Sequence, residues 1–440
     1  MTTEEVLENI RDRDVKFVRL WFTDILGQLK SFATTSENVA SALERGMRFD
    51  GSSITGFNAI EESDVVAMPD PDTFTVLPYR PREQAVARMF CNIVLPGGQP
   101  YEGDPRHVLR RALARAERLG FDSFAVSPDL EFFYFTSPEH PQPVDQGGYF
   151  DLTTLDAASD VRRETVLALQ AMDIRTLYSH HEVGPSQHEI DMRYDDALAM
   201  ADNVMTYRTV VKEIAHKHGY YATFMPKPLS DANGNGMHTH QSLFRNGTNA
   251  FHDPSDDLCL STTAKQFIAG QLRYAREMSV VFAQWVNSYK RLVPGYEAPV
   301  HVAWSRRNRS ALMRVPVLSR ERSQSARVEI RCPDPACNPY LTFAALLHAG
   351  LDGIEHGYEL PEAMDTNLYD LTHEERDRAG IESLPESLGE AVEIGAESEF
   401  LLRAFGEHVH ERLIDLKRRE WSEYRGQVTP WEIERYLDIL

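Results

Sequence analysis

The chain has little of what marks the commoner secreted, zinc-binding and nucleotide-cradling classes. Its four cysteines, Cys91, Cys259, Cys332 and Cys337, form no C-x-x-C pair and show no zinc-like spacing. Neither a disulfide framework nor a structural zinc site is expected, and buried thiols in a reducing compartment are. There is no G-x-x-x-x-G-K-[ST] and no G-x-G-x-x-G, which excludes a P-loop and a dinucleotide fingerprint. A bound nucleotide would therefore be held by side chains and cations. Positive charge is scarce: 46 Lys+Arg stand against 67 Asp+Glu, a net charge of −21. Nucleic acid and anionic membranes, which need a basic face, are disfavoured as partners. No apolar run is long enough to span a bilayer, and the first residues lack an apolar signal core. A cytoplasmic location is the expectation.

What is present is a 440-residue chain, long enough for two domains. The breaker-rich run Pro96-Gly-Gly-Gln-Pro-Tyr-Glu-Gly-Asp-Pro105 marks a boundary, with a small unit over 1–103 and a larger one over 104–440. Apolar periodicity predicts strands at 15–22 and 29–34 and a helix at 37–44 in the first unit. In the second it predicts helices at 106–119, 156–172, 195–218, 261–289, 338–355 and 386–424. Short strands are expected at 121–135, 174–182, 187–193, 221–227, 237–243, 299–304, 312–315 and 327–331. Strands and helices do not alternate regularly, so the class is α+β rather than a doubly wound parallel sheet.

One stretch organises the rest. Ser179-His-His-Glu-Val-Gly-Pro-Ser-Gln-His-Glu-Ile-Asp191 places Glu182 and Glu189 on either side of a Gly184-Pro185 break. A bend there can bring the two carboxylates together, where they repel unless a cation lies between them. An oxygen-rich ligand set favours Mg²⁺ or Mn²⁺ over Zn²⁺. A solvated hairpin with two surface acids is the plainer alternative. Residues two apart on a strand share a face, so Asp129 with Glu131, His238 with His240, and Glu329 with Arg331 form three further polar pairs. Wet strand faces usually carry Thr, Ser and Lys; these carry acids, imidazoles and guanidinium groups. Arg291, Arg306, Arg307, Arg309, Arg314, Arg327 and Arg331 bunch within forty residues of an acidic chain, an inventory suited to carboxylate or phosphate.

The runs FDGSSITGF, HHEVGPSQHEID, ATFMPKPL, NGNGMHTH, NSYKRLVPGYEAP, NRSALMRVP, RVEIR and NPYLTFAALL occur in the order found in type I glutamine synthetase. The chain resembles that family from about Val15 to Trp431. RLWFTDILG, ADNVMTYR and QWVNSYKR look most like its actinobacterial branch, which includes γ-glutamylpolyamine synthetases. The resemblance implies an N-terminal β-grasp domain and a glutamine synthetase/guanido-kinase-type catalytic α/β domain with an antiparallel sheet. It implies a cytoplasmic dodecamer of two stacked hexamers, with active sites shared between neighbours. It implies ATP as co-substrate and two or more Mg²⁺ or Mn²⁺ ions. One ion would be held by Glu131, Glu182 and Glu189, the other by Asp129, His238 and Glu329. Glutamate would meet Gly234, Arg291 and Arg331. The nucleotide would meet Phe224, His240, Ser242, Arg309, Arg314 and Arg327, with Arg309 also acting in catalysis. Asp50, Ser53, Tyr149 and Glu182 would surround the amine, and Glu297 would close over it. The expected reaction joins ammonia to the glutamate γ-carboxylate through γ-glutamyl phosphate. A polyamine in place of ammonia, or a non-catalytic assembly, is the alternative. The chain departs from the family pattern at Asp129 (usually Glu), Leu177, Asn235 and Ala59, while Tyr369 matches an adenylylation site.

Overall fold

The computed structural model describes the whole chain except residues 58–63, 153, 309, 317–320, 322, 366–367 and 369–371. Arg309, Ala59 and Tyr369 lie outside the described residues.

The N-terminal unit is a six-stranded sheet whose main path runs Leu29–Thr35, Val15–Thr23, Ala85–Val94, Asp64–Pro69, Met47–Asp50. Val15–Thr23 and Ala85–Val94 run parallel, and their other partners antiparallel. The helices Thr3–Asp12 and Val39–Arg45 precede and interrupt it. A capping box between Thr2 and Glu5 starts the first helix by satisfying otherwise orphan amide donors. Val6 and Ile10 of that helix join Val18, Leu20, Phe22, Ala87 and Met89 of the strands in one core. Successive strand residues point to opposite faces. Trp21, between Leu20 and Phe22, accordingly packs with Phe90 into the core of the second unit. The two units are joined through that shared apolar layer.

The second unit is built on a ten-stranded sheet with the path His301–Ser305, Ala311–Arg314, Val328–Ile330, Met237–Arg245, Ser123–Phe135, Gln187–Met192, Thr176–His181. Only the first of these pairings is parallel. One face is apolar. Leu130, Phe132, Ile190, Met192, Met237 and Leu243 pack there against residues of the helices Pro105–Arg118, Ala197–Lys217, Thr262–Arg273 and Pro339–His356. Two of these helices cross with almost no separation: a Cβ on Gly270 would lie 2.0 Å from the Ala349 carbonyl oxygen, so only glycine permits the approach. The other face carries the acids and imidazoles.

Two expected long helices are broken. The span 261–289 is interrupted at Tyr274 (φ −100°, ψ 9°) and again after Phe282, leaving Thr262–Arg273, Ala275–Phe282 and Ser288–Arg291. The span 386–424 divides into Leu388–Ala396, Glu399–Phe405 and Glu407–Arg425. Ser398 caps the second of these through its side chain, and Gly406 takes a positive φ of 82°. Both are stop-and-restart signals that outweigh the apolar period. No helix among the described residues is long and apolar enough to cross a membrane.

Candidate active site

Register assembles the site. Glu131 lies opposite Glu189, and Glu189 in turn opposite His180. Two residues along, Asp129 lies between Asp191 and His238. His240 lies opposite Glu329, which lies opposite Arg314. Six strands thus present one polar face, and residues scattered over two hundred positions meet on it.

Around the hairpin, His180 Nε2 is 3.2 Å from Glu189 Oε1, and its Nδ1 is 3.6 Å from Glu182 Oε1. Donor atoms of His180, Glu189 and Asp191 lie within 4.8 Å of one another. The Glu131 Oε2 accepts from the Gln187 side chain at 3.0 Å and from the Gly236 amide at 2.8 Å. Burial, reinforced by Glu182, pushes Glu131 up to about 8. Burial also pushes Glu182 up to about 7, with Glu297 and Asp191 adding to it. Asp191 is pushed to about 7 by burial and Asp129, and Glu189 is raised for the same two reasons. Acids crowded in this way are destabilised as anions until a cation joins them. An almost all-oxygen donor set with one imidazole suits a hard divalent cation such as Mg²⁺ or Mn²⁺.

Beside this cluster, His240 Nε2 meets Asp129 Oδ2 at 3.0 Å. Burial works against a charged His240 ring, but Asp129 outweighs it and the pKa rises. His238 moves the other way, because burial and the Arg331 and Arg291 charges disfavour its cation. Its Nδ1 is 3.9 Å from Glu329 Oε1. Arg331 and Arg314 also reach Glu329, at 2.8 and 3.0 Å. Burial alone would raise Glu329, yet His240, Arg331 and Arg314 hold it below the usual range. Arg291 is buried and donates to the carbonyls of Cys332 (2.8 Å) and Arg331 (3.0 Å). Its stem lies 2.9 Å from where a Gly234 Cβ would stand. Gly234, Arg291 and Arg331 therefore form one tight corner.

A hidden scaffold holds the hairpin. His181 is fully buried, with Nδ1 2.7 Å from the Glu182 carbonyl oxygen and Nε2 2.9 Å from Asp145 Oδ1. Asp145 also accepts from the Ser186 amide at 2.9 Å. Behind it, Arg162 pairs with Asp156 and donates to His188 Nδ1 at 2.8 Å. Asp145, His181 and His188 have metal-like spacing. Both His181 nitrogens already face oxygen acceptors, and His188 Nδ1 accepts from Arg162, so these rings serve structure.

A cavity of about 350 Å³ adjoins the polar face, lined by Asp129, Tyr178, Asp191, Tyr194, His240, Ser242, Phe244 and Arg327 among others. Leu177 lies on its wall as well. Ser242 spends its hydroxyl on the Ala326 carbonyl. Tyr194 is exposed and stacks toward Phe244, with ring centroids 6.5 Å apart. Phe224 does not line this cavity. It is buried against Phe132 and Tyr207 on the opposite face of the sheet. Tyr149 stacks on Phe150 and meets the His180 ring edge-on at 5.5 Å. Glu297 is exposed at a positive φ of 56°, a strained conformation of the kind found in functional loops. Asp50 and Ser53 stand apart. Asp50 ends an outer strand of the small sheet and caps the turn to Ser52. Ser53 lines another cavity, with Arg412 and Arg419.

His180 and Asp191 belong to the cluster although neither stands in the three polar pairs of the sequence. The same two-residue period, applied to Glu182 and Glu189, reaches both. Tyr194 carries no such signal; only the third dimension places it.

Residues 14–96 match the family described as the glutamine synthetase beta-grasp domain, and residues 102–436 the glutamine synthetase catalytic domain. A glutamine synthetase of Methanosarcina mazei is 51% identical over 443 residues, covering 100% of this chain and 98% of its own. One of Mycolicibacterium smegmatis is 52% identical and covers 99% of each chain. Among solved structures, a GmaS/ADP complex superposes with a TM-score of 0.90 at 31% identity, covering 98% of this chain and 99% of that one. The cryo-EM structure of Plasmodium falciparum glutamine synthetase gives 0.89 at 26%, covering 99% of each.

Proposed function

The chain belongs to the glutamine synthetase family, and from that membership we infer that it is a ligase forming glutamine from glutamate, ammonia and ATP. The observation that carries the reading is the meeting of Glu131, Glu182, Glu189 and Asp191 with Arg291 and Arg331 beside an aromatic-walled cavity. Relatives named glutamine synthetase match over the whole chain at 51–52% identity, which favours ammonia over a polyamine as the amine.

In this reading the Arg331 and Arg291 corner holds glutamate with its γ-carboxylate toward the acids. The cavity takes ATP, with Tyr178, Tyr194 and Phe244 offering aromatic faces to the base and Arg314 and Arg327 reaching its phosphates. Glu131, Glu182 and Glu189 would hold one divalent cation, with Asp191 and His180 close by; Asp129, His238 and Glu329 would hold another. Such ions neutralise phosphate charge during transfer of the γ-phosphoryl group. The carboxylate attacks the γ-phosphorus of ATP, the bond to the β–γ bridging oxygen breaks and ADP leaves, giving γ-glutamyl phosphate, which water would hydrolyse. Glu297, on its strained loop, would close over it. Glu182 and Tyr149 border the approach of the amine. Asp50 would take a proton from ammonium, so that free ammonia attacks the acyl carbon and releases phosphate.

Asp50 and Ser53 stand apart from the acids in their own chain. They could serve the site only from a neighbouring copy, which supports a ring assembly, a cytoplasmic dodecamer of two hexamers, with residues 1–103 of one subunit facing 104–440 of the next. The test is phosphate release with ATP, Mn²⁺ and glutamate, comparing ammonium with putrescine and spermine. Turnover with ammonium is expected. Turnover with a polyamine alone would replace ammonia as the acceptor.

A further inference from the structure

A second cavity, of about 670 Å³, lies on the helix-packed side of the large sheet, away from the acids. Its volume is in the range of small-molecule sites. Buried Phe224 forms part of its wall, with Tyr220, Tyr221 and Trp285 around it. Arg208 and Lys212, one turn apart on the helix Ala197–Lys217, also line it. Like charges at that spacing repel. Among the described residues neither has a carboxylate within 4.0 Å, although Glu213 beside them is taken by Arg80. Arg208 donates to the Cys337 carbonyl at 2.7 Å, while its Nε–H is buried without an acceptor. The Lys212 ammonium sits 5.8 Å from the Phe224 ring centre. A chain of net charge −21 thus keeps two unpaired cations beside an aromatic wall.

We propose that this cavity binds a small organic anion with a planar body, its ring against Phe224 and its carboxylate or phosphate between Arg208 and Lys212, and that occupancy is felt at the glutamate corner. Charge-assisted hydrogen bonds to a guanidinium and an ammonium are the strong kind, and aromatic faces supply the rest. The link runs through a short segment. Phe224 and Met225 line the cavity. The Met225 carbonyl accepts from the Asn235 side chain at 2.9 Å, and the Pro226 carbonyl accepts from the Asn235 amide at 2.7 Å. A Cβ on Gly234 would stand 2.3 Å from that Pro226 oxygen and 2.9 Å from Arg291. A shift of Phe224 that carries Met225 and Pro226 with it presses Gly234 against Arg291, and a ligand that prefers one arrangement changes glutamate affinity.

The test uses the full-length protein with indole-3-acetate as probe, and with indole (no charge) and acetate (no ring) as controls. The probe is expected to raise the melting temperature where the controls do not. Lys212→Gln should reduce the rise, and Arg208→Gln with Lys212→Gln should abolish it. Glutamate KM should shift about fivefold, with ATP KM unchanged. An equal rise with neutral indole, or an undiminished rise in Lys212→Gln, overturns the site; that single variant breaks no hydrogen bond among the described residues and so decides the matter even if the double variant misfolds. A change in ATP KM would seat the probe in the nucleotide cavity and also overturn it. A melting shift without any glutamate effect overturns the coupling. The melting arm needs no turnover, so its failure is distinct from failure of the ligase reading, on which only the KM arm rests.

Discussion

Removing the divalent cation should make this protein a proton sponge at one place. Glu131 is pushed to about 8, Glu182 and Asp191 to about 7, and Glu189 is raised with them, each chiefly by burial. At pH 7 three of these acids alone then hold roughly two protons, most of one on Glu131 and about half on each of Glu182 and Asp191, and the raised Glu189 adds to them. A cation must expel them. Its apparent affinity should fall about tenfold per pH unit for each proton displaced, so by about a hundredfold or more between pH 7 and pH 6. The sign for stability is opposite in the two states. A carboxyl whose pKa is raised in the folded protein favours folding below its unfolded value near 4.5, and that advantage is lost as pH climbs toward 8. For Glu131 alone the ceiling is about 5 kcal/mol, at about 1.4 kcal/mol per pH unit. After EDTA treatment the melting temperature should therefore drop from pH 5 to pH 8, while with saturating Mn²⁺ it should rise. Calorimetric Mn²⁺ titration in two buffers of different ionisation enthalpy counts the protons directly. Binding that releases none at pH 7, with a pH-independent Kd, would refute the crowded-acid account.

Other consequences are open to measurement. Asp50→Ala and Arg331→Ala should each abolish glutamate-dependent phosphate release; dissociated together and reassembled in equal amounts, they should recover about a quarter of wild-type activity, because one site in four then takes both parts intact. No recovery would mean that each site lies within one chain. Tyr194→Ala should raise ATP KM about fivefold, the loss of about 1 kcal/mol of aromatic contact, with glutamate KM unchanged; an unchanged ATP KM would remove Tyr194 from the nucleotide cavity. Asp145→Asn loosens the hold on His181 and on the Ser186 amide. It should weaken Mn²⁺ binding about tenfold and also lower the metal-free melting temperature, because a buried charge pair is broken. A fall in melting temperature with intact Mn²⁺ affinity would make Asp145 a purely structural residue.

Much of this protein was legible before any coordinates, because its information is local. A Gly-Pro break, a two-residue strand period and a run of arginines are properties of neighbouring residues, and they led to Glu182, Glu189, the Asp129–Glu131 pair and the histidine strand. The order of the motif runs carried the family. Helix ends were less legible, since Ser398 and Gly406 override the apolar period by backbone geometry that composition does not display. What the tertiary structure alone decided is which face and which strand each side chain finally shares. Phe224 sits one residue past a strand end and was expected at the nucleotide; pairing turns it to the opposite side of the sheet, into the second cavity. Tyr194, exposed and unremarkable in the chain, is carried instead to the cavity proposed for the nucleotide. Asp145, 41 residues before Ser186, meets it only because a loop folds back beneath the hairpin. Such meetings depend on register between strands far apart in sequence, where a slip of one residue reverses every side chain, and no short stretch of sequence holds that register.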